Sequence, residues 1–238
     1  MLRRLLHAVA ALLFAAMPLQ HANAVIGTLD NVPAATLLYP YFEVDLDNAS
    51  GRNTVIGLHN SSATAILTKV TMWSNAGVPV YGFNIYLTGF DAISFDLRSV
   101  FAGNLPVTAS AGQDPADTIS HHGSLSQDIN FASCNGQLPP DNPIVASYLT
   151  DLRAMFTGRV STVQFPGQCV GTNAGDNVAR GYVTIDTVNQ CSAATVNPST
   201  SGYFVSGGQG QATNQNTLLG DYMLVDTSQN RFSVENAV

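Results

Sequence analysis

In the stretch YFEVDLDNASGRNT, Glu43, Asp45 and Asp47 alternate with Phe42, Val44 and Leu46. In an extended chain this puts three carboxylates on one face and three apolar side chains on the other. Carboxylates about 7 Å apart along a strand, next to carbonyl oxygens of a turn at Asn48 to Gly51, are the ligand type that calcium takes. No register gives the Gly at position six and the Glu at position twelve of an EF-hand loop. The pattern therefore favours a solvated strand face, with calcium as the chemical alternative. Glycoside hydrolysis needs two carboxyl groups facing each other across a cleft, which one strand face does not supply.

A second concentration of chemistry is DPADTISHHGSLSQD, with Asp114, Asp117, His121, His122 and Asp128. Asp117, His121 and His122 form an alternative metal set of the zinc type. Adjacent histidines point different ways and the segment has no regular frame, so a solvated loop is favoured. Beyond residue 24 the imidazoles are His59, His121 and His122. There is no G-x-S-x-G elbow, although a Ser-His-Asp arrangement is defined by geometry rather than spacing and stays open. VSGGQGQ resembles an ABC-transporter signature, but without a phosphate-cradling G-x-x-x-x-G-K-[ST] loop it reads as a flexible turn. Tyr39, Tyr41, Trp73, Tyr81, Phe83 and Tyr86 are read as core, with a sugar-stacking platform as the exposed alternative.

The cysteines are Cys134, Cys169 and Cys191. In an oxidising compartment one disulfide is expected, and Cys169–Cys191, closing the shorter loop around GYVTID, is the preferred of three pairings. That compartment is inferred from the first 24 residues. Arg3 and Arg4 precede an apolar run from Leu5 to Met17 and a small-x-small end at Ala22 to Ala24, the three parts of a cleaved secretory signal. General secretion fits better than the twin-arginine route. No later stretch is long and apolar enough for a spanning helix.

Removing residues 1–24 leaves 214 residues with a net charge of −9. An acidic chain with few Lys and Arg argues against nucleic acid or an anionic membrane as partner. Charged residues are 11% and hydrophobic ones 45%, too rich a core for disorder.

The elements that must position these residues are mainly strands. In AISFDLRS, Ile93, Phe95 and Leu97 alternate with Ser94, Asp96 and Arg98. The same reasoning predicts strands near 36–47, 53–59, 64–73, 79–88, 91–99, 180–188, 202–206 and 217–226, joined by short polar or Gly-containing turns. RFSVENAV, at the end of the chain, reads as a final edge strand. One helix, near 143–157, carries a stripe from Ile144 to Phe156, with Asn142 as N-cap, Pro143 in the first turn and Gly158 as its stop. Segments 102–141 and 189–216 are irregular. The expected fold is a single mainly β domain over 25–238, an antiparallel sandwich, jelly-roll-like or Ig-like, with that helix packed on it.

TLLYPYFEVDLDN, FNIYLTGFD, GYVTID and LLGDYMLVD resemble stretches of an uncharacterised family of secreted bacterial proteins. The resemblance spans most of the chain after the signal. It implies export and a chain continuing past Val238, and brings no established activity or catalytic residue. The expected function is that of an exported, non-enzymatic protein acting by binding or assembly at the periplasm or cell surface, through a surface or self-association partner. The alternative is a secreted hydrolase or metal-dependent enzyme with its site in loop 102–141.

Overall fold

The computed structural model describes residues 32–106, 144–191 and 197–238, all within one compact unit, Asn31–Val238. Eight strands run in the order β1 (Thr36–Asp45), β2 (Arg52–Asn60), β3 (Ile66–Ser74), β4 (Pro79–Leu87), β5 (Ala92–Asp96), β6 (Val178–Val188), β7 (Leu218–Asp226) and β8 (Arg231–Asn236). Two helices, α1 (Leu97–Phe101) and α2 (Ala146–Phe156), lie between β5 and β6. The strands form two antiparallel four-stranded sheets, β1-β6-β3-β4 and β5-β2-β7-β8. No helix among the described residues is long and apolar enough to cross a membrane.

Alternation places the core. Phe42 and Val44 of β1, Val70 and Met72 of β3, and Val183 and Ile185 of β6 point inward from the first sheet. Ile56 and Leu58 of β2, Leu218 and Tyr222 of β7, and Phe95 of β5 answer them from the second. All belong to one hydrophobic cluster, which is what makes the two sheets a sandwich. Tyr39 crosses the interior: its hydroxyl donates to the Gly57 carbonyl at 2.8 Å, and its ring lies edge-on to Tyr222. Gly220 leaves the space that the phenol fills.

Tyr39 and Phe42 are both buried although three residues apart, because the register slips between them: Tyr39 pairs with Val183 and Phe42 with Gly181. This bulge turns Pro40 and Tyr41 outward, at a place where Pro has no N–H to give to a ladder.

Helix α2 matches the expected helix, burying Leu152, Met155 and Phe156 in the core. Its N-cap, however, is Val145 with no side-chain hydrogen bond, whereas the expected cap Asn142 and Pro143 lie outside the described residues. Gly158 ends it as expected, at φ 68°, with the next residue's N–H returning to the Ala154 carbonyl.

Two strand assignments need correction. The strand expected over 91–99 stops at Asp96, whose carboxylate accepts from the Ser99 N–H at 2.9 Å and from the Ser99 hydroxyl at 2.6 Å, and so caps α1. A strand expected at 202–206 is a series of turns, with Gly202, Gly207 and Gly208 at positive φ. The first segment alternates in polarity and the second is an apolar run, Tyr203 to Val205, but local hydrogen bonding and glycine conformation decide the backbone.

Candidate functional site

Glu43 and Asp45 share the outer face of β1, whereas Asp47, expected on the same strand face, lies in the bend that follows; each carboxylate has its own partner. Glu43 is held between two guanidinium groups, Arg52 at 2.9 Å and Arg180 at 3.2 Å. Asp45 Oδ1 accepts from the backbone N–H groups of Asp47 and Asn48, closing the turn that follows. Asp47 accepts from the Asn177 amide at 2.6 Å. Arg180 also forks onto Asp176, holding that carboxyl at about 2, well below the usual carboxylate range. Tyr41 sits over this network, its hydroxyl pushed up to about 12 by burial and by the neighbouring Glu43.

The turn carbonyls that would complete a calcium shell face a different cation. Arg98 donates to the carbonyl oxygens of Asp45 (2.8 Å), Asn48 (2.7 Å), Gly51 (3.0 Å) and Arg52 (2.8 Å). The start of α1 makes this possible, because the helical turn after Asp96 swings Arg98 across to the β1–β2 connection. Among the described residues no group of three or more His, Cys, Asp or Glu side chains is placed to hold a metal ion. Asp114, Asp117, His121, His122 and Asp128 lie outside the described residues. His59 Nε2 lies 3.2 Å from Asp221 Oδ1 on the outer face of β2 and β7, a half-exposed pair.

The expected Cys169–Cys191 disulfide is corrected. Cys169 is an exposed free thiol on a short bridge to Val160. Cys191 is buried and disulfide-bonded, and no disulfide joins two described residues, so its partner lies outside them. The shorter loop is not the one closed, because Cys169 stays at the exposed turn after α2 while Cys191 follows β6 to the buried end of the first sheet.

A polar row runs across the outer face of the first sheet, where Asp186, Lys69 and Asn84 are cross-strand neighbours and all fully buried. Asp186 accepts from the Thr36 hydroxyl at 2.7 Å and the Tyr203 hydroxyl at 2.8 Å, and burial raises its pKa. Burial lowers the Lys69 ammonium to about 8. Tyr203 brings the 197–211 turns down onto this row, which is why the failed strand still has a buried tyrosine.

The least covered element is β8. All six of its residues are exposed, Phe232 at 77% and Val234 at 57%. Phe232 lies opposite Val225 and Val234 opposite Met223, forming two apolar cross-strand pairs on the outer face of the second sheet. Behind the hairpin a groove of about 690 Å³ is lined by Glu43, Arg52, Asn53, Asp226, Arg231 and Phe232, among others.

Protein-family models, curated proteins and solved structures give no match. The surface therefore has to be interpreted from its own chemistry.

Of the residues named from the sequence, the fold unites Glu43 with Arg52 and Arg180, and stacks Trp73 on Tyr182 with ring centroids 5.6 Å apart. Of the six aromatics read as core, Tyr39, Tyr81, Phe83 and Tyr86 are buried, whereas Tyr41 is exposed and Trp73 only partly buried. Sequence reasoning missed Arg98, Asp186 and Phe232. The RFSVENAV segment did signal β8, but not that both its faces stand clear.

Proposed function

We propose that this chain is an exported, non-enzymatic protein that acts by binding or assembly at the periplasm or cell surface, with the open side of the β7–β8 hairpin as its working surface. The observation that carries this reading is β8, an edge strand exposed at every position with Phe232 and Val234 on its outer side. Edge strands are commonly blunted by lysine, proline, a bulge or a covering loop. Here the strand is regular in its pairing with β7 and displays apolar side chains between Arg231 and Glu235. An exposed apolar strip rimmed by polar groups is the usual mark of an interaction surface.

Export is supported by the signal-like first 24 residues and by the resemblance to secreted bacterial proteins. The acidic balance disfavours nucleic acid as the partner. The metal-dependent or hydrolytic alternative rests on Asp117, His121 and His122. A calcium site would rest on Glu43, Asp45 and Asp47. Melting curves with and without excess chelator test calcium: an unchanged midpoint removes it, since a ligand bound only to the native state must raise stability.

The binding reading is tested by sedimenting purified protein with cell envelopes of the producing organism, alongside the Phe232→Ser variant. The native chain should co-sediment or self-associate, and the variant should lose at least about fivefold in bound fraction, since a buried aromatic anchor typically carries more than 1 kcal/mol. A chain that neither sediments nor self-associates would remove the reading.

A further inference from the structure

We infer that β8 pairs with β8 of a second copy of this chain, antiparallel about a two-fold axis at Ser233; the inference rests on the binding-or-assembly reading above. The hydrogen bonds at the end of the hairpin show which way the β8 backbone faces. Ala237 N–H donates to the Gly220 carbonyl of β7, whereas Val238 exchanges two hydrogen bonds with Leu38 of β1 on the opposite side. Alternation along a strand then turns the N–H and C=O groups of Arg231, Ser233 and Glu235 toward β7, and those of Phe232 and Val234 away from it. Among the described residues no strand pairs with the edge these outward groups form, until Val238 meets β1. Beside Phe232 and Ser233 lies the groove that Glu43 and Arg52 also line.

The sequence of that edge is self-complementary in one register. With Ser233 opposite Ser233 of the second copy, Phe232 faces Val234 of the second copy and Val234 faces Phe232. These two pairs use the outward backbone groups of both strands, giving hydrogen bonds in both directions. In the same register Arg231 faces Glu235 of the second copy, twice by symmetry. These are the close, non-hydrogen-bonded pairs, in which side chains approach most nearly. Glu235 Oε2 accepts from the Tyr222 hydroxyl at 3.1 Å, leaving Oε1 for the guanidinium. Shifting the register by two residues in either direction abolishes both Arg–Glu pairs. This charge complementarity identifies a second copy as the occupant, since an isologous contact requires one patch to be its own complement. The apolar strip of Met223, Val225, Phe232 and Val234 then continues across the axis, and the two second sheets merge into one of eight strands.

The test is sedimentation velocity and light scattering on the native chain from about 10 μM to about 1 mM, a range that covers interfaces of modest size. The native chain should reach a two-chain species. Arg231→Glu places like charges opposite each other and should weaken the dimer at least tenfold. Adding Glu235→Arg to that variant restores the opposite-charge pairs and should return affinity to within about threefold, an outcome a merely structural role for either residue would not give. Val234→Pro removes an outward N–H without touching the β7 ladder and should leave a monomer with an unchanged melting midpoint. A native chain that stays monomeric throughout, or a dimer indifferent to these changes, would overturn the pairing. A monomer that still co-sediments with envelopes would overturn the pairing alone and leave the binding reading standing.

Discussion

Arg98 ties the end of β5 to the β1–β2 turn through four backbone carbonyls, so one side chain adds four bonds to a connection that Asp45, Asn48 and the contacts with Asn177, Thr227 and Ser228 also shape. A planar guanidinium with five donors suits four separate acceptors; an ammonium with three donors at one point does not. Arg98→Ala should cost about 2–4 kcal/mol, and Arg98→Lys should recover less than half of it, read as shifts in denaturation midpoint at constant slope. Asp186 gives a pH dependence. Its folded pKa is raised, so between its unfolded value near 4 and that raised value the native state binds more protons than the unfolded one. Stability from this site is therefore greatest at low pH and falls as pH rises through the folded pKa. Asp186→Asn should remove that fall, so that the variant gains on the native chain as pH rises from the unfolded carboxylate range through the raised folded pKa, in paired melting curves. Cys169 gives a chemical readout: a thiol reagent on the undenatured, unreduced chain should modify Cys169 and spare Cys191, and peptide mapping should find Cys191 linked and Cys169 unlinked.

At the scale of elements, strands with strict alternation could be read directly from the sequence. β1, β2 and β6 show buried positions alternating with less buried ones, save at the β1 bulge and the buried end of β6, and their predicted limits hold to within a few residues. Pattern failed where a short-range polar contact decided the backbone. Asp96 and Ser99 stop β5 and start α1, although Leu97 keeps the alternation, and three glycines at positive φ turn 202–208 away from a strand. Replacing Asp96 by Ala should cost about 1 kcal/mol for the lost cap. It should also loosen the Arg98 contacts, so a double-mutant cycle between Asp96→Ala and Arg98→Ala should show coupling of about 0.5 kcal/mol or more. The candidate site was half legible for a related reason. The outward placing of Glu43 and Asp45 follows from the period of two, but Arg180, which pairs with Glu43, and Arg98, which binds the carbonyls of the next turn, arrive from 137 and 50 residues away. No local spacing encodes such meetings. The buried row of Asp186, Lys69 and Asn84 was hidden likewise, since each residue alone reads as the wet side of a strand.

At the scale of the whole compact unit, the connectivity places early strands beside late ones. β1 pairs with β6, bringing Thr36 to Asp186 across 150 residues, and β2 pairs with β7, with Ser50 bonded to Thr227 across 177. In the first sheet β6 is the strand that joins β1 to the β3–β4 hairpin, and in the second β7 joins β2 to β8. Neither sheet can close until the last third of the chain is present. Loop closure over such distances precedes any reward from the contacts, so refolding should fall in the millisecond-to-second range of non-local β proteins. Trp73, stacked on Tyr182 of β6, is the one tryptophan and a natural reporter: its fluorescence should change in the slow phase of stopped-flow refolding and stay unchanged in a fragment ending before β6. During synthesis the same wiring has a directional effect. A growing chain of this design can make its β3–β4 hairpin early, but it remains an open thread until β6 and β7 follow, which is the condition in which a polypeptide passes through a narrow translocation channel.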